Sequence, residues 1–374
     1  MGQYWEFFNV SKRQRMDTNG GPKWSFLQYK QGFLVRSITM PYSSPKLERH
    51  LKRLSSTVTP PAINNQGLLS LPDDVLLTIL ELPDITFDDL AILAVTCRRL
   101  FDLSAKMLEE GRNYMSASWL GCRIVCMGDN TVEDDLPPAL LNAEERAIID
   151  AKIKEGKYAN YGGLELLDPG ASTLYRGAFT YFYSYLQKFN SDADREAFEA
   201  VVGVAFPPKR RDWILCNCTK KEYVRASAIA ELSGKPNDAQ PFLPRCRLDL
   251  GHALLARICW STEELVNTPP KLKMHRGAWV GDRFCITTME RMGGPKEGEE
   301  SWESEWKDVS KQVVKDLVQI YRKQLGKEWL EEIEGDVPPV DYAEYFWFGS
   351  DGDDKVASTG RYTRQRRPSI CSLF

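Results

Sequence analysis

The sequence predicts an α+β fold, with a short amino-terminal arm, a helical unit near the front, a mixed α+β body and a disordered basic tail. Three observations predict it. The 374-residue chain is 43% hydrophobic and holds 10 Trp, 15 Tyr and 16 Phe, enough apolar and aromatic matter for a packed core that includes sheet. Apolar residues recur at helical spacing in some windows and in short runs in others. From residue 349 onward Gly, Asp, Ser and Arg displace them, a composition that cannot build a core.

Residues 1–60 read as arm and linker. The apolar islands Tyr4–Phe8 and Trp24–Leu27 are divided by the turn signal Asn19-Gly20-Gly21-Pro22, which predicts two short strands or a loose arm. Thr59-Pro60-Pro61-Ala62 and the polar run to Gly67 have linker composition. The body spans 113–345. In it Arg123–Met127, Trp213–Cys216 and Leu254–Trp260 read as strands or short buried elements, and 143–155 and 193–204 carry helical spacing. A longer amphipathic helix is expected over 306–333, where Val309, Val313, Leu317, Ile320 and Tyr321 recur every three or four residues. Trp119-Leu120-Gly121-Cys122-Arg123-Ile124 and Trp279-Val280-Gly281-Asp282-Arg283-Phe284 share a W-x-G-x-R-apolar pattern. The pattern fits either a duplication or two similar turn-to-strand entries. Residues 346–374 form the tail.

The unit at 61–112 carries three apolar stripes. Ser70 is placed to cap a first helix, with Pro72 in its first turn and Asp73 against the amino-terminal dipole. Val75, Leu76, Ile79 and Leu80 make its apolar face, and Pro83 forbids continuation. Thr86 with Asp89 forms a capping box for a second helix bearing Leu90, Leu93, Ala94 and Cys97; Leu100, Leu103 and Met107 mark a third. About forty residues bury too little surface to be stable alone, so a partner polypeptide is expected to cover the unit.

The residues Leu71-Pro72-x-Asp74-Val75-Leu76-x-x-Ile79-Leu80, then Asp89-Leu90, then Val95-x-Cys97-Arg98-x-Leu100 resemble the F-box, although Asp74 stands where that family more usually has Glu. The resemblance implies a three-helix F-box that docks on the Skp-family adaptor of a cullin-based ubiquitin ligase while the body recruits a protein substrate. It assigns the adaptor contacts to Leu71, Pro72, Val75, Leu76, Ile79, Leu80, Leu90, Leu93, Val95, Cys97 and Leu100. Outside this unit, MGQYW, WLGCRIVCMGD, KEYVRASAIA, LLARICW, RGAWVGDRF and WKDVS resemble segments of a largely uncharacterised group of fungal F-box proteins. No leucine-rich, WD or kelch period is present.

Signals for other chemistry are weak. A net charge of −3 offers no field for nucleic acid, and no nucleic-acid partner is expected. No apolar run approaches the roughly twenty residues that span a bilayer, and the amino terminus lacks a secretory layout, so an intracellular protein of cytoplasm or nucleus is expected. Nine irregularly spaced cysteines fit reduced thiols. Cys122, Cys126, Cys216 and Cys218 read as small buried hydrophobes rather than zinc ligands, and no cofactor is expected. His50, His252 and His275 accompany no nucleophile motif, and no phosphate-binding loop or zinc-protease motif occurs. Glu133-Asp134-Asp135 reads as a solvated loop. Pro208-Lys209-Arg210-Arg211 reads as a basic rim beside a strand or an import signal. Cys371, four residues from the end, fits a prenylation layout, with Arg361, Arg364, Arg366 and Arg367 as a second membrane signal. Ser369 is a candidate phosphorylation site whose charge would oppose that attraction. Glu6 occupies the place where amino-terminal myristoylation favours Ser or Thr.

The reading that unites these signals is an adaptor without chemistry of its own. Its rivals are a ligand-binding or enzymatic α+β protein whose F-box-like helices are structural, with a pocket near Cys216, His252 or His275, and a prenylated, membrane-tethered interaction protein.

Overall fold

Two four-stranded sheets frame the body, and each grows from a hairpin that begins on a tryptophan. The computed structural model describes residues 4–17, 32–56, 67–157, 160–167, 191–207, 209–263, 273–293 and 305–335. Strand β1 (Trp5–Asn9) turns into β2 (Gln14–Asp17), followed by α1 (Gly32–Ile38), β3 (Tyr42–Ser43) and α2 (Pro45–Ser56). The helical unit contributes α3 (Asp73–Leu80), α4 (Phe87–Thr96) and α5 (Arg98–Ser116). Next come β4 (Ile124–Gly128), α6 (Ala143–Lys154), α7 (Asp192–Val202) and β5 (Val204–Ala205). The second hairpin is β6 (Trp213–Asn217) and β7 (Glu222–Arg225), followed by α8 (Ala226–Leu232), α9 (Leu250–Ile258), β8 (Cys259–Trp260) and β9 (Phe284–Thr288). Strand β10 (Lys307–Asp308) and helices α10 (Ser310–Leu325) and α11 (Trp329–Glu334) complete the described fold.

The sheets run in the orders β2-β1-β4-β8 and β10-β7-β6-β9, and β3 pairs with β5. Mixed α+β architecture is thus observed, but the amino-terminal segment is no separate arm. Trp5 and Phe7 on one face of β1, and Phe8 on the other, are all buried, so the strand needs cover on both sides and lies inside its sheet against β4. The island at 24–27, the linker at 57–66 and the tail lie outside the described residues.

Two further elements differ from expectation. Leu254–Trp260 is mostly helix: Asp249 and His252 close a reciprocal capping box, and α9 runs to Ile258 before the two-residue β8. The predicted helix over 306–333 is divided, because Gly326 takes φ 65° and ends α10; Val309 sits just before its start. Helices α9 and α10 pack with Trp119, Trp213, Trp279 and Phe284 in the main core. Both W-x-G-x-R segments are turns leading into a strand, β4 and β9, with Gly121 and Gly281 at φ 67° and 76°.

Polar links tie the layers. Arg123 reaches the carboxylate of Glu145, which is only 4% exposed and also accepts the backbone N–H of Asn142 at 2.9 Å. Burial alone would raise the Glu145 pKa, but Arg123 and the Asn142 amide outweigh it and leave the group more acidic than usual. Asp135 is not a solvated loop acid. Both its oxygens accept from Arg276 at 2.7 Å, and that guanidinium lies 4.5 Å from the Trp260 ring centroid.

Glu145→Gln is expected to lower unfolding free energy at neutral pH by about 2 kcal/mol, since it weakens charge-assisted bonds to a buried partner. A depressed carboxyl pKa stabilises the fold above its unfolded value of about 4.3 and ceases to do so as pH falls through the folded value. Urea titrations across pH 3–7 should therefore show wild type and variant converging at the acid end.

Candidate docking surface on the helical unit

The helical unit buries one side against its own chain. Leu80, Leu90, Ala91, Ala94, Phe101 and Leu108 pack with Leu47 of α2 and with Phe198, Val201 and Val202 of α7. Helices α4 and α5 approach closely because Gly111 has no side chain: a Cβ there would fall 2.2 Å from a ring carbon of Phe87. Thr86 starts α4 as expected. Its hydroxyl accepts the Asp89 N–H at 3.2 Å, and the Asp89 carboxylate accepts the Thr86 N–H at 3.0 Å. Hydrogen bonds from the Thr86 hydroxyl and then its backbone N–H hold Asp89 more acidic than usual. Cys97, extended at φ −158° and ψ 156°, separates α4 from α5.

Ser70 does not cap α3. It lies in a short 3-10 turn, Leu68–Ser70, where its hydroxyl donates to Gly67 O at 2.7 Å; Pro72 takes the N-cap place without a side-chain bond. The entry is held instead by Arg99 of α5. Its guanidinium donates to Leu69 O at 2.7 Å, Leu71 O at 2.8 Å and Asp73 Oδ1 at 2.8 Å. Sequence reasoning did not single out Arg99, since a lone arginine on a helix carries no signal of contacts to carbonyls about thirty residues earlier.

The predicted adaptor contacts divide by burial. Leu76, Leu80, Leu90 and Leu100 face inward and support the unit; Leu71, Ile79, Leu93, Val95 and Cys97 are half-buried; Pro72 and Val75 are exposed. Among the described residues eight large apolar side chains are exposed, and five of them, Leu68, Leu69, Val75, Leu82 and Ile92, fall within 68–92. Scattered exposed apolar residues are ordinary, but five within one short unit single out this stretch as the candidate docking surface. Leu68, Leu69, Leu82 and Ile92 were missed because they lie off the helical stripes that pattern reading follows.

The other candidate residues sit in structural settings. Cys126 and Cys216 are fully buried in β4 and β6, and the Cys218 and Cys285 sulfurs lie 3.6 Å apart. No group of three or more His, Cys, Asp or Glu is arranged to hold a metal among the described residues. His252 is buried in the α9 capping box, its Nδ1 2.8 Å from Asp249 Oδ1. His275 is also buried, and burial, then Arg53, lowers the pKa of His50. Arg210 pairs with Asp212 and Glu290 and becomes a still weaker acid, as a rim residue would. No helix among the described residues is long and apolar enough to cross a membrane. Ser369 and Cys371 lie outside the described residues.

Comparisons with protein families, with curated proteins and with solved structures gave no match.

Arg99→Ala should free the 68–72 turn while leaving the buried seam intact. Hydrogen exchange at Ser70 and Leu71 is expected to quicken about tenfold, with global stability changed by less than about 1 kcal/mol because the arginine is exposed. Thr86→Ala removes a cap and should cost about 1 kcal/mol by urea unfolding.

Proposed function

We propose that this chain is an F-box adaptor subunit: its helical unit docks on a Skp-family protein, and its α+β body recruits a protein substrate to a cullin-based ubiquitin ligase. The observation that carries this reading is the entry to α3, where an F-box-like pattern at Leu71-Pro72 coincides with exposed Leu68, Leu69, Pro72 and Val75. Short helices with one side packed and the other apolar need a second polypeptide on the open side. The buried leucines then have a definite part: Leu76 and Leu80 fasten α3 to the fold, and Pro72 and Val75 project from it.

In this reading the chain positions two proteins, and the covalent step of ubiquitin transfer belongs to other subunits of the ligase. It acts inside the cell, in cytoplasm or nucleus.

Binding of the purified full chain to a recombinant Skp-family adaptor tests the docking reading. Leu71→Ala with Pro72→Ala should weaken that binding at least about tenfold, as expected when central apolar anchors are truncated. The thermal midpoint should move little, since neither side chain is buried. Val132→Ala, at an exposed apolar residue outside the unit, should leave affinity unchanged. Equal affinity of the double variant and wild type would contradict the reading.

A further inference from the structure

The two hairpins share residues and hydrogen bonds at equivalent positions. Trp5-Glu6-Phe7-Phe8-Asn9-Val10-Ser11-Lys12-Arg13-Gln14 and Trp213-Ile214-Leu215-Cys216-Asn217-Cys218-Thr219-Lys220-Lys221-Glu222 share Trp, Asn, Ser/Thr, Lys, Arg/Lys and Gln/Glu at the same places. The Asn9 side chain accepts the Lys12 N–H at 3.1 Å, and Asn217 accepts the Lys220 N–H at 3.0 Å. Arg13 and Lys221 both sit at φ 53°. Ser11 Oγ accepts the Arg123 N–H at 3.0 Å, and Thr219 Oγ1 accepts the Arg283 N–H at 3.0 Å. Trp119 donates from its indole to Gln14 at 3.2 Å, and Trp279 to Glu222 at 2.6 Å.

The match extends beyond the turns. Each hairpin's first strand pairs antiparallel with the strand after a W-x-G-x-R turn, Trp5 opposite Gly128 and Trp213 opposite Thr288. Each turn's tryptophan N–H bonds the end of a helix at 2.8 Å, Ser37 O in α1 and Arg257 O in α9. Residues just past those helices add to the other half's strand in parallel: Cys259 lies opposite Cys126, and Thr39 opposite Ile286. At the centre, Arg123 forms an antiparallel bridge with its own counterpart Arg283; Gly121 N–H donates to Phe284 O at 2.8 Å and Gly281 N–H to Ile124 O at 3.3 Å. Equivalent residues can pair with each other in this way only across a local twofold axis. Two similar turns arising separately would not reproduce the exchanged strands.

We infer that the body is an internal duplication, two copies of a hairpin–helix–strand unit interlocked about a pseudo-twofold axis, and that the docking helices are an insertion in the first copy. In the second copy the connection from Trp260 to Trp279 is residues 261–278. In the first, the equivalent connection from Met40 to Trp119 is residues 41–118, which contain α2, α3, α4 and α5. The inserted segment leaves and returns at one point, since Trp119 N–H bonds Ser37 O and Met40 N–H bonds Ile286 O at 2.7 Å. A connection of that kind can lengthen at small cost to the body. Its apolar seam is separate from the main core and is closed by α7, which lies between the two copies. The docking unit is therefore a module that opens independently of the body, whatever partner it binds.

Native-state hydrogen exchange of the intact chain, with denaturant raised to just below its transition, tests the insertion. Amides of 73–116 should exchange at least about tenfold faster than those of β1, β4, β6 and β9, as a separate cooperative unit does. A single common opening of helices and strands would overturn it. The duplication is tested by giving the first turn the second turn's residues, Val10→Cys, Ser11→Thr, Arg13→Lys and Gln14→Glu, in the full chain. A thermal midpoint within about 3 °C of wild type is expected for equivalent turns, and loss of the cooperative transition would contradict equivalence.

Discussion

A helix has two sides, and among the described residues one side of the helical unit is covered by an apolar seam. Leu47, Phe198 and Val201 lie beneath α4 and α5, and a seam of that kind, at about 25 cal/mol per Å² of apolar surface removed from water, is enough to hold short helices in place. Among the described residues, Pro72 and Val75 at the entry to α3 remain exposed. Leu76 and Leu80 fix α3 from its buried side, and Arg99 fastens the preceding turn through three acceptors. For the proposed adaptor the surface is ordered in advance, which spares binding the entropy cost of ordering a loose segment.

The body supplies the rigidity this requires. Its two halves exchange strands and meet through reciprocal backbone bonds around Arg123 and Arg283, so the frame closes on itself without reference to the helices. Fully buried Trp119 and Trp279 occupy equivalent corners, each with its indole N–H satisfied by a hairpin side chain. A docking unit set into one connection of such a frame keeps its place while its own outer face stays free. That arrangement suits a protein proposed to hold a ligase component at one side and a substrate at another.

What the sequence made legible follows from how far each signal reaches. The Thr86–Asp89 box, the stop at Pro83 and strands β4 and β6 depend on neighbours a few residues away, and all were read correctly. Helix α9 is legible only as a short buried element, because its continuous apolar run hides the 3.6-residue period; the Asp249–His252 box is the signal that marks it as a helix. Pairing of β1 with β4 and the Arg99 contacts join distant segments, and no local pattern announces them. The W-x-G-x-R echo was visible, but its meaning came only with the hairpins that each copy receives. In the docking unit, the stripe residues proved largely to be the packed side. The exposed Leu68, Leu69, Leu82 and Ile92 lie where periodicity is silent.

The most direct measurement is a hydrogen-exchange footprint of the purified full chain with and without a recombinant Skp-family adaptor. The account predicts slowed exchange concentrated in residues 68–82 and the start of α4, with strands β6 and β9 unaffected. No change in 68–82 at saturating adaptor, or protection confined to the body, would contradict it.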